Sequence, residues 1–336
     1  MKASFQEMFC AMANSLGLSR IMRHRRRKDI LILMYHGVVE DNAPFERWTH
    51  LAESRFSWQM EWLRDHYRIL PLRHVLAAMQ TANSLPDNTA VVTFDDGLQS
   101  TCTRAFPTLQ RLRIPATVFL TTAFVGTGQL PTGSRIFLAL RSSKMRRLDL
   151  REHGLEDFVF DTIAQRDAVA DQVRMHAKNI AFETKLALIE DLEARLEVDP
   201  TRYPKYADEF RMLTWQQVKQ MQQSGLIDFG AHGSHHEILS RLPLSQMRSE
   251  IFDSCEAVRS QLGMENVTFA YPNGRRQDFP AEAKQMLQEA SASCGLSAIT
   301  GLCSAGDDVF ELKRVGIGNN VGRSRFAAMC TGLEVG

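Results

Sequence analysis

Two carboxylates stand side by side at the end of an apolar run: AVVTFDDGLQS places Asp95 and Asp96 directly after Phe94. Neighbouring acids repel and resist desolvation unless a cation sits with them or the two do different work. A set able to bind a cation stands far downstream, where GAHGSHHEILSRL carries His232 and His236 at i, i+4. That spacing puts two imidazoles on one face of a helical turn. Two such histidines and one carboxylate make a three-ligand site with a position left open for water, the usual layout of a catalytic zinc. The other aspartate then stays free as a base, and a metal with a base beside it is the equipment of hydrolysis. HxxxH alone is weak evidence, since histidine pairs at helix spacing are common on surfaces. The paired aspartates give it weight.

These residues arrive at the ends of strand-like runs. DILILMYHGVV delivers His36, AVVTFDDG the aspartates and GLIDFGAHGSHH His232, while IPATVFLTT and GLSAITG read as further strands. Helix-period segments lie between and after them: RFSWQMEWLRDHY, AFPTLQRLRI, TWQQVKQMQQSG and LSQMRSEIFDSCEAVRSQLG. Strand and helix in alternation predict an α/β chain with parallel strands and an active face at their C-terminal ends. From about Gly126 to Phe210 the pattern becomes charged and helical, SSKMRRLDLREHG included. Residues 127–210 are therefore expected to form a helical insertion or small lid between two halves of one barrel, residues 30–325, with 326–336 as a tail.

The chain has 336 residues, 44% hydrophobic and 24% charged, with a net charge of +1. That is an ordinary globular composition with no global pull toward nucleic acid. Six scattered cysteines without a CxxC pair read as reduced thiols in a reducing compartment. No apolar run approaches the roughly 18 residues of a transmembrane helix. Residues 1–29 are unusual: Phe5, Met8, Phe9, Met12, Leu16 and Ile21 recur at helical spacing, and six Arg or Lys follow between Arg20 and Lys28. The charge follows the apolar stretch, the reverse of a secretory signal. Residues 1–28 read as an interfacial helix held to anionic lipid, or as a helix packed on the body or on a partner. The expected location is cytoplasmic, at the periphery of the inner face of a bacterial inner membrane.

Taken together, LMYHGV, TFDDG followed by AFPTLQRLRIPATVFL, LTWQQVKQMQQSGLIDFGAHGSHHEILSRL and FAYPNG resemble the polysaccharide deacetylases, carbohydrate esterase family four, over roughly residues 30–127 and 211–325. The resemblance implies a distorted (β/α) barrel of about seven strands and a divalent metal, zinc by default, with iron, cobalt or nickel also accepted by His₂Asp. It implies Asp95 as general base and Asp96, His232 and His236 as metal ligands. The family's Arg-Pro-Pro-Tyr block stands here as Ala270, Tyr271, Pro272 and Asn273. Tyr271 and Pro272 are thereby expected at the substrate and the Asn273 amide at the oxyanion. The Arg that would hold the base is missing from that block, and Arg314 in ELKRVGIG is a candidate to replace it or to contact substrate. The Ser or Thr that follows the first ligand histidine is Gly233, so Ser234 is a candidate for the lost hydrogen bond. No histidine follows His236, so the family's C-terminal acid is absent. His36 fits the acid role as in the circularly permuted branch of bacterial poly-N-acetylglucosamine deacetylases.

The expected function is metal-dependent deacetylation of an N-acetylated sugar, on a polysaccharide or a lipid-linked or nucleotide-linked precursor of one. A non-catalytic carbohydrate-binding or scaffold protein on the same barrel is the alternative. A metal-dependent phosphoesterase would want more carboxylates or a second metal, and no further Asp/His cluster stands out. His235 reads as a neighbour of the ligands or a surface residue, and Trp215 as packing between helix and sheet.

Overall fold

The computed structural model describes residues 2–45, 47–81, 84–199, 203 and 205–333. Helices α1 (Lys2–Ser15) and α2 (Leu18–Arg25) precede strand β1 (Leu31–Tyr35). Short strands β2 (Gly37–Val39) and β3 (His50–Ala52) lead into α3 (Glu53–His66). β4 (Arg68–Ile69), α4 (Leu72–Thr81), β5 (Thr89–Phe94), α5 (Phe106–Leu112) and β6 (Ala116–Leu120) complete the first half. An intervening segment holds α6 (Thr132–Ser142), β7 (Arg147–Asp149), β8 (Asp157–Val159), α7 (Ile163–Ala177) and α8 (Phe182–Arg195). The second half runs α9 (Trp215–Gln223), β9 (Ile227–Ala231), α10 (Leu244–Leu262), β10 (Val267–Ala270), α11 (Ala281–Glu289), β11 (Ala292–Leu296), β12 (Val315–Gly316) and α12 (Arg323–Cys330).

The main sheet is ordered β11-β10-β9-β6-β5-β1-β12, with β4 added to the start of β5, and every pairing in it is parallel. Parallel strands are covered on both faces and therefore read as unbroken apolar runs; LILMY, TAVVTF and ATVFL are buried along their whole length. The two ends of the row meet through Ser297, whose amide reaches Leu312 O at 2.8 Å, and Arg314, whose amide reaches Ile299 O at 3.0 Å. The sheet thus curls into a distorted (β/α) barrel.

The segment between β6 and α9 has its own core of Ile136, Phe137, Leu148, Phe158, Val173 and Leu192. It is not wholly helical as expected. SSKMRRLDLREHG contains β7, paired antiparallel to β8, and Arg147 reaches Asp157 through two bonds of 2.9 and 2.6 Å. Arg147, Leu148 and Asp149 alternate exposed, buried and half-buried, a period of two too short to stand out against charged neighbours. Lys185 of α8 ties the segment to the barrel by a buried pair with Glu237, 2.5 and 2.7 Å.

At the C-terminus, residues 326–330 are not a tail but the end of α12, with Phe326, Ala328 and Cys330 buried; residues 334–336 lie outside the described residues. α1 lies along this helix. Glu7 accepts the amides of Ser324 (2.7 Å) and Arg325 (3.1 Å), and Asn14 donates to Ser324 O at 3.0 Å.

Candidate metal centre and active site

β5 delivers Asp95 into the barrel's interior, where its carboxylate accepts two parallel bonds from Arg314, 2.7 and 2.8 Å. Both side chains are fully buried. Burial alone would raise the Asp95 pKa, but Arg314 and then His232 outweigh it and hold the carboxyl well below its usual range. Arg314 also donates to Ser297 O at 2.7 Å and to Thr93 Oγ1 at 3.3 Å. Its guanidinium is consumed by these partners and offers nothing to a sugar, which corrects the expectation of Arg314 as a substrate contact.

Asp96 and Gly97 both take left-handed backbone, φ 72 and 80. Two such residues in a row break the strand's alternation. Asp96 consequently faces the histidines while Asp95 faces Arg314. Gly97 also allows close approach to β6, since a Cβ there would lie 2.9 Å from Leu120 Cδ2.

His232 follows the last residue of β9, and its Nδ1 lies 2.8 Å from Ala270 O. A carbonyl can only accept, so Nδ1 is the donor of this bond and Nε2 is the nitrogen left facing Asp96. That Nε2 is 3.6 Å from Asp96 Oδ1, and His236 Nε2 is 3.4 Å from the same oxygen. The ligating atoms of Asp96, His232 and His236 lie within 4.8 Å of one another, the one such cluster among the described residues. One carboxylate oxygen and two imidazole nitrogens so gathered are a donor set that fits a divalent ion. Burial, and then His232, push His236 down to about 4, so its nitrogen is unprotonated at neutral pH.

The i, i+4 spacing does not arise from a helical turn. Residues 232–236 form a loop in which Gly233 and His236 have φ 73 and 64. Glu250 of α10 closes it, accepting from the amides of Ser234 (2.9 Å) and His235 (3.0 Å) and pairing with His235 Nδ1 at 2.8 Å. A Cβ at position 233 would come within 2.8 Å of Glu250 Oε2. This accounts for glycine where the family has Ser or Thr: Glu250 occupies that space, and the Ser234 amide, not its hydroxyl, makes the bond.

His36, one residue past β1, lines the same cavity, with its Nδ1 buried and without a hydrogen-bond partner among the described residues. Its ring meets Trp48 edge-on at 5.4 Å. Asn273 is left-handed, φ 60, in the turn after β10; its Nδ2 donates to Asp278 and its Oδ1 accepts from Lys178 at 2.6 Å. Tyr271 and Pro272 are buried. Tyr271 stacks on Phe279 at 4.1 Å and gives its hydroxyl to Phe310 O at 2.9 Å, so that hydroxyl is committed away from any substrate. Pro272 packs against Gly233. Both shape the turn and the ligand loop, and Tyr271 also lines the cavity.

The cavity has a volume of about 680 Å³ and is lined by Asp95, Asp96, His36, His232 and His236 from the barrel and by Lys178 and Lys185 from the inserted segment. Glu250, Lys178 and the half-exposed Trp48 were not singled out from sequence. Glu250 carried a readable signal, an acid on the buried stripe Met247, Ile251, Cys255 and Val258 of α10. Trp48 and Lys178 carried none.

A curled parallel barrel that gathers Asp96, His232 and His236 beside a second aspartate at its strand ends offers the donor set and the free carboxylate that a metal-dependent hydrolase would use. A family model described as polysaccharide deacetylase matches residues 82–291, and the chain belongs to that family. It is 38% identical over 79 residues to the poly-beta-1,6-N-acetyl-D-glucosamine N-deacetylase of Escherichia coli strain K12, a match spanning 23% of this chain and only 12% of that relative. The Streptococcus pyogenes deacetylase PplD, solved with acetate, superimposes with a TM-score of 0.58 at 18% identity, over 91% of this chain and 99% of that one. IcaB from Ammonifex degensii gives 0.58 at 17% identity, over 90% and 97%. At these identities the two structures speak to fold.

Proposed function

We propose that the protein is a metal-dependent de-N-acetylase of an N-acetylated sugar, on a polysaccharide or a lipid-linked precursor. The observation that carries this is the division of labour between adjacent aspartates, Asp96 in the cluster with His232 and His236, and Asp95 beside it, paired to Arg314. A divalent ion held by Asp96, His232 and His236, zinc by default with iron, cobalt or nickel also suited, would supply Lewis acidity and lower the pKa of water. Asp95, kept ionised by Arg314, takes a proton from water as its oxygen attacks the acetyl carbonyl. The Asn273 amide faces the oxygen on which charge develops. His36, whose Nδ1 has no hydrogen-bond partner among the described residues, hands a proton to the nitrogen as the C–N bond breaks, since an amide anion is a very poor leaving group. One water is consumed, and acetate and the amine leave.

Asp95→Asn should abolish acetate release while the purified protein retains its metal content; full activity in this variant would overturn the assignment. The anionic membrane is the proposed partner of residues 1–28, supported by the exposed Met8, Met12, Leu16 and Ile21 beside the basic run.

A further inference from the structure

Besides Arg325 and Lys185, the latter paired with Glu237, five cations line the cavity: Arg47 ahead of β3, Arg174 and Lys178 at the end of α7, Arg241 beyond the metal loop and Arg275 after β10. Their contacts pair little of that charge directly. Arg47 lies over the Phe137 ring at 4.5 Å, Lys178 bonds Asn273 Oδ1, and Arg241 donates to Lys178 O and Asn179 Oδ1. None of Arg47, Lys178, Arg241 and Arg275 forms an ion pair with a described residue. Arg174 reaches Asp171 at 3.0 Å, but that carboxylate is 61% exposed, and such surface pairs contribute little.

The acids on the cavity wall are already engaged. Asp95 holds Arg314, Asp96 belongs to the metal cluster and Glu237 holds Lys185, which leaves the exposed Glu183. The cations also act on one another: burial, then Arg174 and Arg275, push Lys178 down to about 8 against the opposing pull of Asp278. Arg47, Arg174 and Lys178 are half-buried and Arg241 and Arg275 exposed, and such a gathering of like charge becomes more favourable when an anion joins it. Four guanidinium forks and an ammonium suit the several oxygens of a phosphoester better than a single carboxylate. A neutral N-acetylated polymer brings no such group.

We propose that Arg47, Arg174, Lys178, Arg241 and Arg275 bind a phosphate or diphosphate on the sugar, so that the substrate class is an N-acetylhexosamine carried on a phosphoester. This rests on the deacetylase reading. The test compares acetate release by the metal-loaded enzyme from a neutral N-acetylhexosamine oligomer, the sugar 1-phosphate, a nucleoside diphosphate sugar and a short isoprenyl diphosphate sugar in detergent. The charged substrates should show kcat/KM about tenfold or more above the oligomer, with the gap closing as salt rises; the best of them names the carrier. Arg174→Gln and Arg275→Gln, both on solvent-accessible positions, should each shrink that gap by about tenfold through KM. Equal kcat/KM on neutral and charged substrates, variants that move both alike, or preference for a uronate-bearing oligomer would overturn the proposal and leave the deacetylase reading standing. Calorimetry with pyrophosphate in the presence of chelator reads the anion site without turnover. Binding that Arg174→Gln weakens, with no acetate from any substrate, would overturn the deacetylase reading and keep the anion site.

Discussion

Asp95 and Arg314 are separated by 219 residues yet share two parallel hydrogen bonds in a fully buried setting. Removing one partner of such a pair leaves an uncompensated buried charge, so Arg314→Met should destabilise the protein by about 3–5 kcal/mol in urea titrations, and Arg314→Lys by less. The pair also sets a pH dependence. Asp95's folded pKa is depressed, so its contribution is present above the unfolded carboxylate value of about 3.9 and is lost as pH falls below it; Arg314→Met should lack that loss. His50 gives a second acid-sensitive term. Buried against Phe45 and Phe210, it is pushed from 6.5 down to about 3, by burial first and then by Arg47. The folded state therefore binds fewer protons than the unfolded, and stability is lost as pH falls from about 6.5 toward 3, by roughly 1.4 kcal/mol per unit once His50 protonates on unfolding. His50→Phe should flatten that slope in thermal melts between pH 6 and 4. The DD pair and the two histidines could be read in the sequence because each sits in a short local pattern. The Asp95–Arg314 pair could be raised only as a candidate, because the contact is created by β12 closing beside β1.

The loop carrying His232 and His236 shows why spacing alone misleads about shape. Four residues apart fits a helical turn, but two left-handed residues and a carboxylate from α10 build the same convergence without one. Glu250 is then the support on which ligand placement depends. Glu250→Gln keeps the volume but loses charge, and should weaken zinc binding on the order of 10–100-fold, measured by competition with a chromophoric chelator. Unchanged affinity would show that backbone alone holds the loop. Gly233→Ser should act in the same direction, because it adds a side chain at φ 73 where Glu250 Oε2 would lie 2.8 Å away. Strand and helix alternation in the barrel was plain from sequence, since buried parallel strands are continuous apolar runs. The β7–β8 hairpin was not, for three-residue strands held by Arg147–Asp157 leave almost no periodic trace.

The molecule's two ends meet in α1 and α12, and this pairing decides what the N-terminal helix can offer. Glu7, Cys10, Ala13 and Asn14 are turned to α12 or buried, and Met8, Met12, Leu16 and Ile21 are 63%, 55%, 66% and 48% exposed on what remains. Sequence periodicity gave the apolar face but counted one stripe where the structure divides it, because the small Cys10 and Ala13 mark the packed side. Beside that face, Arg27 and Lys28 are bound to Asp87, and Arg20, Arg25 and Arg26 stay exposed. No described helix is long and apolar enough to cross a membrane. Apolar side chains next to free cations are the requirement for lying in an anionic interface, where each basic residue near the surface adds about 1 kcal/mol. The full-length protein should float with vesicles containing phosphatidylglycerol and not with neutral phosphatidylcholine vesicles, and added salt should release it. Substituting Met12, Leu16 and Ile21 by Ser spares the face that packs on α12, so a loss of flotation with an unchanged melting temperature isolates the exposed face. Flotation that survives those substitutions, or equal binding to neutral vesicles, would assign the helix to packing alone.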